Sequence, residues 1–169
     1  LGKQIDIELS GSAVELDKTI LEMISDPLTH LVRNCCDHGI ELPDERMRAG
    51  KPASGLIRLS ASQQRGRILI EIRDDGRGLD YDRIKSVAIE QGGLTEGVAE
   101  RIDPRKLASL IFRPGFSTAL AGPDHIRGVG MDLVRERVHA LGGKVGVATK
   151  PGEFTRFRIM LPRSQRQVA

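Results

Sequence analysis

Two short runs hold the residues best suited to chemistry. His30-Leu31-Val32-Arg33-Asn34 sets an imidazole and an amide one helical turn apart, a candidate base and a candidate metal ligand. Asp74-Asp75-Gly76-Arg77-Gly78 follows the strand-like Ile68-Leu69-Ile70-Glu71-Ile72 and offers a carboxylate at a glycine-loosened turn. Such a carboxylate, accepting from an exocyclic amine where water is excluded, makes a charge-assisted bond of about 1.5–3 kcal/mol. A helix that meets a metal-held phosphate and a strand end that grips a purine edge are the two halves of an ATP site.

The helical run supports this only when taken whole. At ~100° per residue, Leu28, Leu31, Val32 and Cys35 share one side, while Arg33, Asn34, Asp37 and His38 share the other around His30. Lysine, glutamate and arginine cover an ordinary solvated face more readily than two histidines, an asparagine and an aspartate. A lone histidine here would be a bystander more often than a ligand, and Asp74–Gly78 alone is also a common turn. Cys35 and Cys36 are the only cysteines, too few for a metal site or disulfide framework, and they suit small packed hydrophobes in a reducing cytoplasm. Arg127-Gly128-Val129-Gly130 is a second glycine turn opening a helix, whose N–H groups suit phosphate oxygens. It is not a P-loop, because Gly-Lys-Ser/Thr occurs nowhere in the chain.

The elements that must carry these groups follow from periodicity. Ile5, Ile7 and Leu9 alternate as on a half-buried edge strand, and Leu56 to Ser62, Arg67 to Arg73, Val145 to Ala148 and Phe154 to Leu161 read as further strands. Turns fall at Arg65-Gly66 and Pro151-Gly152. A helical period runs from Asp17 toward Asp37, and Asp26-Pro27 predicts a break with a second helix capped by Asp26. Asp82 to Gln91, Pro104 to Phe112 and Val129 to Leu141 are the other predicted helices, the last closed by Gly142-Gly143. Residues 113–127, with two prolines and two glycines, are expected to form a mobile loop. Residues 162–169 are expected to be linker. Helices between hairpin-like strands predict a two-layer α/β sandwich, a mixed sheet under one helical layer.

Composition excludes several classes. At 169 residues the chain suits one domain. Its longest apolar stretches fall far short of the ~18 residues a membrane helix needs, so no membrane insertion is expected. Net charge is +3, but the signs are interspersed. Only Arg156, Arg158, Arg163 and Arg166 form a one-sided group, without aromatics for base stacking, so nucleic acid is not an expected partner. The chain begins at Leu1 without a targeting pattern, and a piece of a longer protein is expected.

Five segments in order now carry a resemblance: Asp26–Asn34, Asp37–Glu41, Asp74–Leu79, Phe112–Thr118 and Arg127–Asp132. Together they resemble the ATP-binding catalytic domain of CheA-type chemotaxis histidine kinases, in the GHKL superfamily that includes DNA gyrase and the heat-shock chaperone ATPases. The resemblance runs from about Asp17 to Leu161 and implies a Bergerat-type α/β sandwich over residues 1–161 with a mobile ATP lid. It implies that the γ-phosphoryl group of Mg·ATP passes to a histidine on a separate phosphotransfer domain. A response regulator would stand downstream, with a coupling protein and chemoreceptor met through neighbouring domains. The alternatives are a nucleotide-binding regulatory module without kinase activity and a gyrase-like clamp ATPase, which would carry glutamate in place of His30.

By the same resemblance Asn34 holds Mg²⁺ and Asp74 accepts from the adenine amine, with Gly76 and Gly78 shaping the adenine wall. His30 takes the place of a general base, and Arg33, Asp37 and His38 line or buttress the phosphate side. Ser117, Thr118, Gly128, Val129, Gly130 and Met131 bracket the lid, and Thr155 matches a threonine near the base. Three positions depart from the pattern: Ile126 and Phe154 replace glycines, and Val87 replaces a lysine. None of His30, His38, His125 and His139 suits a phosphoacceptor, which is expected on a helical-bundle domain elsewhere.

Overall fold

Alternating apolar residues build the sheet, and their register decides what the site looks like. In the computed structural model, which describes residues 2–11, 14–116, 120 and 130–163, five strands lie in the order β1-β2-β3-β5-β4. They are β1 (Ile5–Gly11), β2 (Gly55–Gln64), β3 (Arg67–Asp74), β4 (Lys144–Lys150) and β5 (Phe154–Pro162). The β2–β3 hairpin closes through Arg65 and Gly66, both at positive φ (48° and 75°), the two-residue turn whose twist suits antiparallel strands. β1 pairs parallel with β2, and every other pairing is antiparallel, so the sheet is mixed. β5 reaches Pro162, one residue into the segment expected to be linker; residues 164–169 lie outside the described part.

One face of the sheet is apolar and carries the helices. Ile68, Ile70 and Ile72 of β3 and Phe157, Ile159 and Leu161 of β5 are buried beneath them. β1 is the expected edge strand but is less covered than its alternation suggests. Ile7 and Leu9 are 57% and 78% exposed, because only Ile5 packs against the core.

The helices are α1 (Lys18–Asn34), α2 (Pro43–Arg48), α3 (Tyr81–Glu90), α4 (Glu96–Arg101), α5 (Pro104–Ser109) and α6 (Met131–Ala140), with a 3₁₀ turn at Leu110–Phe112. The expected break at Asp26-Pro27 does not occur: Pro27 lies inside one continuous helix. Ile20, Ile24, Pro27 and Leu31 form a single buried stripe spanning the proline, and that burial outweighs the lost backbone bond. Asp26 is no cap; its carboxylate meets Arg137 of α6 at 3.0 Å on the surface. The true N-cap is Asp17, which accepts from Thr19 N at 2.9 Å. α2 and α4, six residues each, add to the helices expected from the sequence.

After Asn34 the helix widens into a π turn, Cys35–Gly39, closed by Ile40 N donating to Cys35 O at 2.9 Å. Lys3 Nζ donates to the carbonyls of Cys36 and Asp37 at 2.8 Å each, satisfying two groups the widened turn leaves open.

Candidate nucleotide site

Asp74 is the fourth place in a buried row. Ile68, Ile70 and Ile72 point into the core, and Asp74, two residues further along β3, follows them at 1% exposure. Its register partner on β5 is Thr155, which likewise heads the buried row Phe157, Ile159 and Leu161. Two apolar rows thus end in a polar pair at the floor of a cavity of about 350 Å³. The cavity lies between this sheet end and the C-terminal turns of α1, with α3 and the start of α6 on its flanks.

The Asp74 carboxylate is oriented before any ligand arrives. Oδ1 accepts from Gly76 N at 2.8 Å, and the Cys35 thiol lies beside the same carboxylate, close enough to favour its charged form. Burial pushes its pKa up; the Gly76 and Cys35 bonds pull the other way without cancelling it. Burial first, and then the Asp74 charge and bond, push the Cys35 thiol up, so this sulfur is a donor and not a thiolate. Cys35 is the packed side chain expected, yet it also touches the carboxylate.

The glycines serve chain packing as much as ligand approach. A Cβ on Gly76 would overlap the carbonyl of Gly39, and one on Gly39 would lie 2.8 Å from Asp74 Oδ2. Gly78 has φ +74°, and its Cβ would meet Lys150 O at 2.7 Å. The turn is laced on both sides. Arg77 N donates to Gly39 O at 2.9 Å, Gly152 N to Arg77 O at 2.7 Å, and Leu79 N to Thr149 Oγ1 at 2.9 Å.

His30, Arg33, Asn34, Asp37 and His38 all line the opposite wall, so the polar stripe of α1 does face the cavity. Asn34 Nδ2 donates to Met131 Sδ at 2.9 Å, tying α1 to α6. Ile84, Ile111, Met131 and Phe157 supply an apolar lining, suited to a flat ring. Gly78 and Thr155 also line it; Gly76 lies behind, and Gly130 stands at the N-cap of α6. Ser117, Thr118, Gly128, Val129, Ile126 and most of the expected lid lie outside the described residues.

Two departures acquire a physical reading. Phe154 precedes the inward Thr155 and so faces the other side of the sheet, where its ring lies 4.2 Å from the Arg73 guanidinium. Val87 is buried in the core at 2% exposure. One turn earlier on α3, Arg83 lines the cavity, as does Arg77 after β3. Neither arginine stood out in the sequence, because surface arginines are common and only the fold aims these two at one opening.

The profile of the histidine kinase-, DNA gyrase B- and HSP90-like ATPases matches residues 23–165. The chain belongs to that family. Membership implies an ATP site. The chain is 49% identical to the chemotaxis protein CheA of Salmonella typhimurium over 96% of its length, and 44% identical to that of Bacillus subtilis over 96%. It spans about a quarter of these relatives, 24% of each. Among solved structures, the catalytic domain of histidine kinase ThkA matches with a TM-score of 0.55 at 17% identity, covering 96% of this chain and 81% of that one. That likeness shows the fold. Among the described residues no helix is long and apolar enough to cross a membrane.

Proposed function

We propose that this chain is the ATP-binding core of a CheA-type protein-histidine kinase, which passes the γ-phosphoryl group of ATP to a histidine on a separate phosphotransfer domain. The observation that carries the reading is the buried Asp74 carboxylate at the cavity floor, facing the His30–Asn34 stripe across an apolar slot. The CheA relatives supply the reaction class and the chemotaxis setting. A response regulator would receive the phosphoryl group next, and a coupling protein and chemoreceptor would act through neighbouring domains. A cytoplasmic location suits that setting.

Asp74 accepts from the adenine amine, with Thr155 beside it. GTP, which presents an acceptor oxygen at that edge, is disfavoured. Ile84, Ile111 and Phe157 enclose the ring. Arg33, Arg77 and Arg83 bring positive charge to the mouth, where a phosphate chain would emerge, and His38 and Asp37 frame the same side. Phosphoryl transfer has a loose transition state, so positioning and charge neutralisation do most of the work.

The donor set at Asn34 fits Mg²⁺. Its amide nitrogen is engaged by Met131, which leaves the carbonyl oxygen as the hard donor Mg²⁺ prefers, with the remaining ligands coming from phosphates and water. Among the described residues no group of three acidic, histidine or cysteine side chains forms a self-sufficient cation site, so the ion would arrive with the nucleotide. When bound it would neutralise charge on the β- and γ-phosphates. His30, one turn before Asn34, orients the incoming imidazole, whose own lone pair makes a strong base unnecessary.

The test mixes the chain with a phosphotransfer domain and γ-labelled Mg·ATP. Label on the acceptor histidine supports the reading. ATP binding without transfer would make the chain a regulatory module, and nucleotide-dependent dimerisation with ATP hydrolysis would make it a clamp ATPase.

A further inference from the structure

Arg46 is fully buried, which is costly for a guanidinium unless its donors are engaged. Nε donates to Pro52 O at 2.7 Å, Nη1 to Glu41 Oε1 at 3.0 Å and to Asp75 O at 3.2 Å, and Nη2 to Asp75 Oδ2 at 3.0 Å. Lys51 lies beside it, with Nζ donating to Glu41 Oε2 at 2.7 Å, Asp75 O at 3.1 Å and Gly76 O at 2.8 Å. Burial acts to raise the Glu41 carboxyl, but the Lys51 bond and the nearby cations outweigh it and hold its pKa below the usual range. Asp75 Oδ1 is fixed as well, accepting from Leu56 N at 2.8 Å.

These bonds converge on one peptide unit. Its carbonyl, Asp75 O, takes a bond from each cation; its N–H, on Gly76, is the donor that holds Asp74 Oδ1. Two cations polarising the carbonyl strengthen the N–H donor at the other end of the same plane. Neither cation lines the cavity, and the shortest bonded route from either to Asp74 runs through that plane. We propose that Lys51 and Arg46, held by Glu41, are positioning residues for adenine recognition, setting the Asp74 carboxylate through the 75–76 peptide. The proposal rests on the reading of the cavity as an ATP site.

The experiment compares Mg·ATP with Mg·purine riboside triphosphate, which lacks the 6-amino group, by calorimetry. Their affinity ratio isolates the amine contact at Asp74, whereas a general loss of structure weakens both. In Lys51→Met the ratio should fall about ten-fold, with purine riboside triphosphate binding changed by less than about two-fold, and Lys51→Arg should restore the ratio. Should Lys51→Met fail to fold, Glu41→Gln keeps the shape, loosens the Lys51 anchor, and should lower the ratio in the same sense. An unchanged ratio in the folded variant overturns the proposal. A wild-type protein that binds both nucleotides equally removes the adenine reading itself, and this proposal with it.

Discussion

Asp74 is asked to do two opposed things. Burial raises its carboxyl above the ordinary value, so ionising it costs the fold, while the ionised form would accept most strongly from an amine. A carboxyl whose pKa is higher in the fold than in the unfolded chain adds stability that is complete below the unfolded value. That stability is lost as pH rises through the folded one. Asp74→Asn removes this titration and can still accept from Gly76 N. Without nucleotide the variant should melt above the wild type at neutral pH, with the gap closing as pH falls through the raised folded value and gone below about 4. It should bind ATP more weakly by about 1.5–3 kcal/mol, roughly ten- to a hundred-fold. Melts across pH that coincide for the two proteins would show that ionised Asp74 costs the fold nothing. Asn34→Ala should abolish phosphotransfer but lower stability by only about 1 kcal/mol, the worth of its bond to Met131. A large drop in melting temperature with transfer retained would make Asn34 structural. Asp74, His30 and Asn34 were legible because each sits in a local pattern. Arg46, Lys51, Arg83 and the thiol of Cys35 were not, since their partners lie across the fold: Lys51 meets Gly76 only once the chain after α2 reaches the turn that follows β3.

At the scale of elements, the glycine turn after β3 is a joint between two other backbones. Gly39 of the π turn crowds it from one side, and Thr149 and Lys150 at the end of β4, with Pro151 after them, from the other. Gly76→Ala forces a methyl against the Gly39 carbonyl, a main-chain group that cannot swing aside, and should cost about 3 kcal/mol. Gly66→Ala, in the exposed β2–β3 turn with nothing near its Cβ, pays only for its positive φ, about 1 kcal/mol. Urea unfolding of the two variants checks this, and equal losses would mean that the close approach carries no cost. Strands and their turns were readable because alternation and the Arg65-Gly66 pair are local signals. The continuity of α1 was not, because Pro27 argues locally for a break and only the buried stripe around it argues otherwise. The same limit applies to Ile7 and Leu9, whose alternation is a strand's but whose cover depends on how far the helices reach.

At the scale of the whole molecule, the proposed ligand would join the ends of elements that share one core and open around the cavity. On the proposed reading the adenine end would belong to β3 and β5 and the phosphate end to α1 and α3, with apolar lining from α6 and the 3₁₀ turn. A nucleotide bound to all of them adds its binding energy to folding, about 2.7 kcal/mol at a concentration a hundred times its dissociation constant. For a chain of this size that corresponds to a rise in melting temperature of roughly 5–10 °C. Mg·ATP should give that rise. Adenosine, which reaches only the floor, should give a small fraction of it at the same concentration, and Mg·GTP should give little. ATP with a chelator should fall between, because Asn34 then has no cation to share with the phosphates. Differential scanning calorimetry on the one chain with these four ligands orders them directly. Equal shifts for Mg·ATP and Mg·GTP would sever Asp74 from base recognition. Equal shifts with and without chelator would remove Mg²⁺ from Asn34 while leaving the adenine floor intact.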